Sequence, residues 1–119
     1  MNLSEDSRFT KALELFNSGA WYEAHDAFEE LWHEQVDPNR RLLQGILQIA
    51  VAHVHLERDN RKGATILLGE GLGRLSGAGL PDFGLDLVML RQRVSQRLKA
   101  LQQEEDPASC PVPMLIDRS

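Results

Sequence analysis

Four residues of this sequence have types and spacings that could do chemistry: His25, Glu29, Gln48 and His55. His25 and Glu29 stand four positions apart, so their side chains are neighbours on the surface of a helix. At 100° per residue, Gln48 and His55 also share one stripe of a helix, together with Gln44. Two imidazoles and a carboxylate (His25, Glu29 and His55) suit zinc or ferrous iron with an open position for water. The spacing therefore predicts a polar cluster that could hold a metal.

The elements that must position this cluster are all predicted to be helices. Leucine occurs 19 times, against 12 for valine, isoleucine and threonine together, and this balance favours helix over sheet. Five helices are predicted, the first two over residues 5–17 and 21–35. The third begins at Asp37 and Pro38 and ends near residue 58. The fourth is capped by Asn60 and ends in the glycine-rich stretch from residue 77, and the fifth covers residues 84–104 with Asp82 as its cap. Gly69, Gly71 and Gly73 in the fourth helix either permit close backbone contact or weaken that helix.

The third helix is predicted to be the centre of the fold. From residue 42 to residue 56 it is apolar almost all round, which indicates a helix buried on most sides. Fifteen residues that include two glutamines and two histidines are too short and too polar to span a bilayer. The fold class predicted is therefore all-α, a compact bundle of about five antiparallel helices around a buried third helix.

Polar residues of the second helix are the expected hydrogen-bond partners of the polar stripe on the third helix. His25 lies inside the apolar arc of that helix and Glu29 at its margin. We therefore expect both to face Gln48 and His55 where the two helices meet, flanked by Tyr22 and Trp32. This cluster has three interpretations: a hydrogen-bond network that fixes how the helices pack, a site for a ligand, or a metal site. His53 points to the opposite side of the third helix and receives no role.

Composition excludes several classes of function. The net charge of -5 and the pI near 5.3 argue against nucleic-acid binding. The run Arg91, Arg93, Arg97 and Lys99 is interpreted as a solvated face. A single cysteine, Cys110, precludes an intrachain disulfide and fits a reducing compartment. Residues 1–8 contain no apolar segment of a signal peptide, so a cytoplasmic location without membrane attachment is expected.

The chain length favours a single domain, predicted over residues 1–106. Residues 107–119 contain three prolines and are predicted to form an extended tail. Four apolar residues in that tail favour docking onto the bundle or onto a second copy of the chain, which would be a homodimer.

Two blocks of the sequence carry a family resemblance. The first is the run GAWYEAHDAFEELW from Gly19 to Trp32, with its motif H-x-x-x-E-x-x-W; the second is Gln44-Gly45-Ile46-Leu47-Gln48, followed by His55, Asn60, Gly63-Ala64 and Leu67-Leu68. Together they resemble the bacterial and archaeal domain-of-unknown-function family 309, over the region from Phe16 to Leu75. Small departures are Ile46-Leu47, where the family usually has Leu-Ile, and Asp59, where it tends to have glycine. The resemblance implies a small all-helical bundle whose motif residues line one interior or cleft, and it supplies no activity.

Two classes of function follow from the sequence. The first is a non-catalytic binding or interaction domain without a cofactor, whose partner is a small ligand or a protein. The second is a metal-dependent enzyme, such as a hydrolase, with a divalent metal such as zinc or iron. In that enzyme His25 and His55 would be ligands, and Glu29 a ligand or general base. No catalytic residue is assigned beyond this set, and whether the chain is an enzyme stays open.

Overall fold

Five α-helices make up the fold in the computed structural model, which describes residues 2–118. They are α1 (Ser7–Asn17), α2 (Trp21–Glu34), α3 (Asn39–Glu57), α4 (Arg61–Leu75) and α5 (Leu87–Gln102), with short 3-10 turns at Leu3–Glu5 and Pro107–Ser109. Within the described residues there is no β-strand, and one isolated antiparallel bridge joins Leu85 to Asp117. The predicted all-α class is confirmed.

The third helix lies at the centre of the molecule, as predicted. It packs against both α2 and α4 and buries residues around most of its circumference. The Cα radius of gyration is 13.4 Å, close to the value of about 13.5 Å expected for a compact globule of this length. No helix within residues 2–118 is long and apolar enough to cross a bilayer.

The predicted helix starts are partly correct. The Asn60 side chain accepts a hydrogen bond from the Gly63 amide at 3.0 Å, so its role as the cap of α4 is confirmed. The predicted cap of the last helix was wrong: Asp86 caps α5, accepting from the Met89 amide at 2.9 Å. Phe83 and Gly84 have positive φ values of 50° and 82°, and this left-handed backbone keeps the helix from starting at residue 84.

The start of α3 also differs from the prediction. Pro38 was expected at the first helical position, but α3 begins one residue later, at Asn39. Pro38 precedes the helix and follows a cis peptide bond with Asp37. The sequence signal of a proline near a helix start was correct, and its position was off by one residue.

Helices α3 and α4 approach closely at two glycines. A Cβ atom added to Gly71 would lie 3.0 Å from the carbonyl oxygen of Gly45 and 3.1 Å from a side-chain carbon of Ile49. At Gly69 and Gly73 an added Cβ would meet nothing within 4 Å. Of the three glycines in α4 at positions 69, 71 and 73, close backbone contact therefore requires glycine only at position 71. Packing does not require glycine at positions 69 and 73.

The C-terminal tail lies against the helices of its own chain. Leu115 is buried, and its amide and carbonyl bond the Asn17 side chain at 2.7 and 2.8 Å. The interpretation of the basic run on α5 as a solvated face was wrong for three members. Arg91 donates to the Leu75 carbonyl oxygen at 3.2 Å. Arg93 donates to the Val112 carbonyl at 3.0 Å, and Arg97 donates to two further tail carbonyls.

Candidate functional site

His25 and Glu29 form the pair that the sequence predicted. His25 Nε2 lies 2.9 Å from one carboxylate oxygen of Glu29, and the other oxygen lies 3.7 Å from His33 Nε2. Tyr22 is exposed, with its ring centroid 6.0 Å from that of His25. The Glu29 side chain is 45% exposed, so this pair sits at the rim of α2 and faces solvent on one side.

Gln48 bonds to a different helix from the one predicted. Its side-chain amide donates to Glu70 of α4 at 3.0 Å, whereas the sequence assigned its partners to α2. The side-chain carbonyl oxygen of Gln48 is buried without a hydrogen-bond partner among the described residues. Position 48 faces α4 because the neighbouring Gly71 lets the two helices come together there; a Cβ atom added to Gly71 would lie 3.6 Å from the Cβ of Gln48.

His55 pairs with the loop that follows its own helix. Its Nδ1 lies 3.0 Å from the side-chain nitrogen of Asn60, the residue that caps α4. In the described part of the chain, the polar residues thus form three separate pairs and no single cluster: His25 with Glu29, Gln48 with Glu70, and His55 with Asn60. Within residues 2–118, no three or more His, Cys, Asp and Glu side chains form a group that could hold a metal. His25, Glu29 and His55 are therefore not assembled as a ligand set in this structure.

Trp32 is half-buried beneath an arginine. The guanidinium carbon of Arg40 lies 3.8 Å from the centroid of the indole ring, a cation–π contact. The indole nitrogen is buried without a hydrogen-bond partner among the described residues. This side chain joins the end of α2 to the start of α3, and its aromatic neighbour is His33 rather than His25 or His55.

His53 is the polar residue that the sequence reasoning missed. Only 2% of its surface is exposed, and it is one of two polar residues in the buried set. Its ring stacks on Trp21, with centroids 4.2 Å apart and planes inclined by 23°. Its Nδ1 lies 2.8 Å from the carbonyl oxygen of Ile49, one turn earlier in α3. His53 Nε2 is buried and has no hydrogen-bond partner among the described residues.

The protonation state of His53 follows from its surroundings. Burial lowers the pKa of the imidazole to about 4, opposed by the hydrogen bond to Ile49 and assisted by the positive charge of Arg97. The ring is therefore neutral at pH 7. Since a carbonyl oxygen can only accept, the single ring hydrogen is on Nδ1, and Nε2 carries a lone pair.

A cleft of about 310 Å³ opens beside this histidine. Its walls come from the start of α2, the end of α3, the start of α4, the middle of α5 and the turn at the base of the tail, including Trp21, His53, Leu56, Arg61, Arg97 and Pro107. Trp21, Leu56 and Pro107 give the cleft apolar surface, and His53 contributes the little surface that it exposes. Because four helices and the tail meet here, the cleft is held in shape by the packing of the whole bundle.

Charges of both signs surround the mouth of the cleft. Arg97 is half-buried, and burial lowers its pKa while Cys110 and Asp106 oppose that effect; an arginine nevertheless stays charged. Arg61 donates to the carbonyl oxygen of Glu105 at 2.9 Å. The carboxylates of Glu57, Asp59 and Asp106 complete the lining. The rim can therefore meet a ligand group of either charge.

One signal in the sequence could have identified His53. Position 53 lies on the inward side of a helix that is apolar almost all round, so a histidine there had to be buried on α3. The spacings of four residues from Gln44 to Gln48 and of seven residues from Gln48 to His55 favoured the other stripe of α3 instead. The contact with Trp21 and the proximity of Arg97 depend on tertiary packing across 32 and 44 positions of sequence, which no local pattern encodes.

Comparison with known proteins agrees with the resemblance seen in the sequence. The family model described as "Domain of unknown function (DUF309)" matches residues 9–67. The chain is also similar to the uncharacterized protein YpuF of Bacillus subtilis (strain 168), with 32% identity over 87 residues, which cover 68% of this chain and 50% of that protein. The chain thus spans about half the length of this relative.

Proposed function

Because this chain belongs to the domain-of-unknown-function family DUF309, which supplies no activity, we propose a function from its own geometry. The protein is a non-catalytic binding domain that holds a small molecule in the cleft beside His53. The site is distinct from the predicted cluster around His25 and Glu29.

The observation that carries this proposal is the unpartnered nitrogen of His53. A buried acceptor without a donor costs about 1–3 kcal/mol. Trp32, Arg41 and Gln48 also have a buried polar atom without a partner among the described residues, but of these four residues His53 is the one that lines this cleft. Nδ1 turns back onto the carbonyl of Ile49 in its own helix, so Nε2 points away from the α3 backbone. His53 lines the cleft but exposes only 2% of its surface. A molecule in the cleft would supply the missing donor once the side chains that cover Nε2 move aside.

The size and construction of the cleft support the same function. A volume of about 310 Å³ lies at the lower end of the range of roughly 300–1,000 Å³ that is usual for small-molecule sites. Trp21 and Leu56 provide apolar surface, and Arg61 and Arg97 provide charge at the rim. A mostly apolar cavity with a few converging polar groups is the usual composition of a ligand site.

The predicted polar residues have a structural role in this account. His25 with Glu29, Gln48 with Glu70 and His55 with Asn60 each bond within the protein. Such pairs bond polar groups within the protein and do not require a ligand.

The two tryptophans provide a direct test. Trp21 lines the cleft, whereas Trp32 lies 11 residues further along α2, about 16 Å away along the helix axis. In ¹⁵N-labelled protein the two indole N–H signals are assigned with the variant Trp32→Phe. Pools of small neutral, anionic and cationic fragments are then added in turn.

We expect some fragments to shift the Trp21 indole signal in a saturable way and to leave the Trp32 signal in place. The variant His53→Phe, which keeps an aromatic ring against Trp21, should weaken that response. A screen in which no fragment moves the Trp21 signal selectively, or in which the responses centre on Trp32, would contradict the proposed site.

A further inference from the structure

We infer that this cleft selects its ligand through a hydrogen-bond donor, a hydroxyl or an N–H group, which the lone pair of His53 Nε2 accepts. This inference rests on the proposed function, because it specifies the ligand of the same cleft. One group of the ligand must be a hydrogen-bond donor, and the rest of the ligand contacts the walls of the cleft.

The tautomer of His53 determines this requirement. Nδ1 lies 2.8 Å from the Ile49 carbonyl oxygen, and two acceptors cannot share that distance without a hydrogen between them. Trp21 stacks on the ring and contributes no charge, and the charged group that acts on the imidazole is Arg97. A positive neighbour and burial both oppose a second proton on the ring. Nε2 is therefore held as an acceptor.

An acceptor at this position excludes part of ligand chemistry. A carboxylate, phosphate or ether oxygen placed against Nε2 would face a lone pair with a lone pair. A site built around an unpaired polar group rejects the analogue that lacks the matching group far more strongly than a purely apolar pocket would. The carboxylates that line the cleft and the guanidinium of Arg61 can still bind charged parts of a ligand.

The apolar walls indicate what should surround the donor. Trp21, Leu56 and Pro107 line the cleft next to His53, so a hydroxyl on a small apolar body would present its donor to Nε2 and its carbon atoms to these side chains. Phenol has this composition. Anisole has the same ring and oxygen but carries a methyl group in place of the hydroxyl hydrogen, so it is the matched probe without the donor.

The test compares the affinities of phenol and anisole for the wild-type protein, read from the Trp21 indole signal. We expect anisole to bind roughly 5- to 150-fold more weakly, the ratio that corresponds to leaving one buried acceptor unpaired. Phenol, but not anisole, should also shift the ¹⁵N resonance of His53 Nε2. The resonances of the other three histidines, His25, His33 and His55, serve as internal controls in the same spectrum.

Two variants locate the preference. In His53→Phe the two probes should bind with equal affinity, whereas His55→Phe, on the same helix, should keep the wild-type ratio. Should His53→Phe fail to fold, the comparison in the wild-type protein stands without it. Equal affinities in the wild type, or a preference for anisole, would overturn the inference and leave the proposed function standing, because a probe would still occupy the cleft. No response of Trp21 to either probe would also overturn the inference, and the fragment screen described above would then decide the proposed function.

Discussion

Replacing Gly71 by alanine tests the packing of α3 against α4. Alanine raises the helix propensity of an interior position by roughly 0.8–1 kcal/mol. The new methyl group, however, would lie 3.0 Å from the backbone oxygen of Gly45 and 3.1 Å from Ile49. Overpacking of this kind costs about 1–3 kcal/mol, so the net effect of Gly71→Ala should be a destabilisation of up to about 2 kcal/mol.

The same substitution two residues later is the control. Gly73→Ala places its methyl group in open space, with nothing within 4 Å, and should stabilise the protein by about 0.5–1 kcal/mol. Because both variants gain the same propensity, the difference between them, about 1–3 kcal/mol, measures the close contact alone. Urea unfolding followed by circular dichroism gives both free energies. Equal stability of the two variants would refute the close approach of the helices at Gly71.

Four further measurements follow from the structure. The pKa of His53 is about 4 in the folded state against an ordinary 6.5, so the unfolded state takes up a proton first and the folded state loses stability as the pH falls from 6.5 towards 4. At pH 5 the free energy of unfolding should be smaller by about 2 kcal/mol than above pH 6.5. Urea unfolding of His53→Phe should lack this decline. Leu115→Ala should destabilise by about 2–5 kcal/mol, whereas the exposed Val112→Ala should change the unfolding free energy by less than about 0.5 kcal/mol; equal effects would contradict the docking of the tail. Asp86→Ala should lose the cap of α5, about 1 kcal/mol, and a larger loss for Asp82→Ala would contradict that assignment. We expect EDTA to leave the melting temperature unchanged, and a decrease that zinc reverses would instead support a metal site.

Much of the fold could be predicted because its signals are local. The all-round apolar pattern of residues 42–56 indicates a central helix, and Asn60 caps the helix that follows it. The start of α5 could not be predicted in the same way. Asp82 and Asp86 are equally good caps in sequence, and the left-handed backbone at Phe83 and Gly84 selects between them.

The candidate site was predicted only in part, for a related reason. The pair of His25 and Glu29 depends on helical spacing alone and is found. The partner of Gln48 depends on which helix lies against that face, and angular position on α3 does not distinguish α2 from α4. The cleft depends on five separate segments of the chain, so no stretch of sequence near His53 shows that Trp21 and Arg97 are its neighbours.

A crystal structure of the protein grown with phenol would show directly whether the cleft beside His53 binds a small molecule. We expect density for the ring against Trp21 and Leu56, with the hydroxyl oxygen about 2.7–3.2 Å from His53 Nε2. The opposite result would be a cleft closed by its own side chains, with Nε2 bonded to a protein donor such as the guanidinium of Arg97. That arrangement would leave no unpaired acceptor and would contradict a binding function for this cleft.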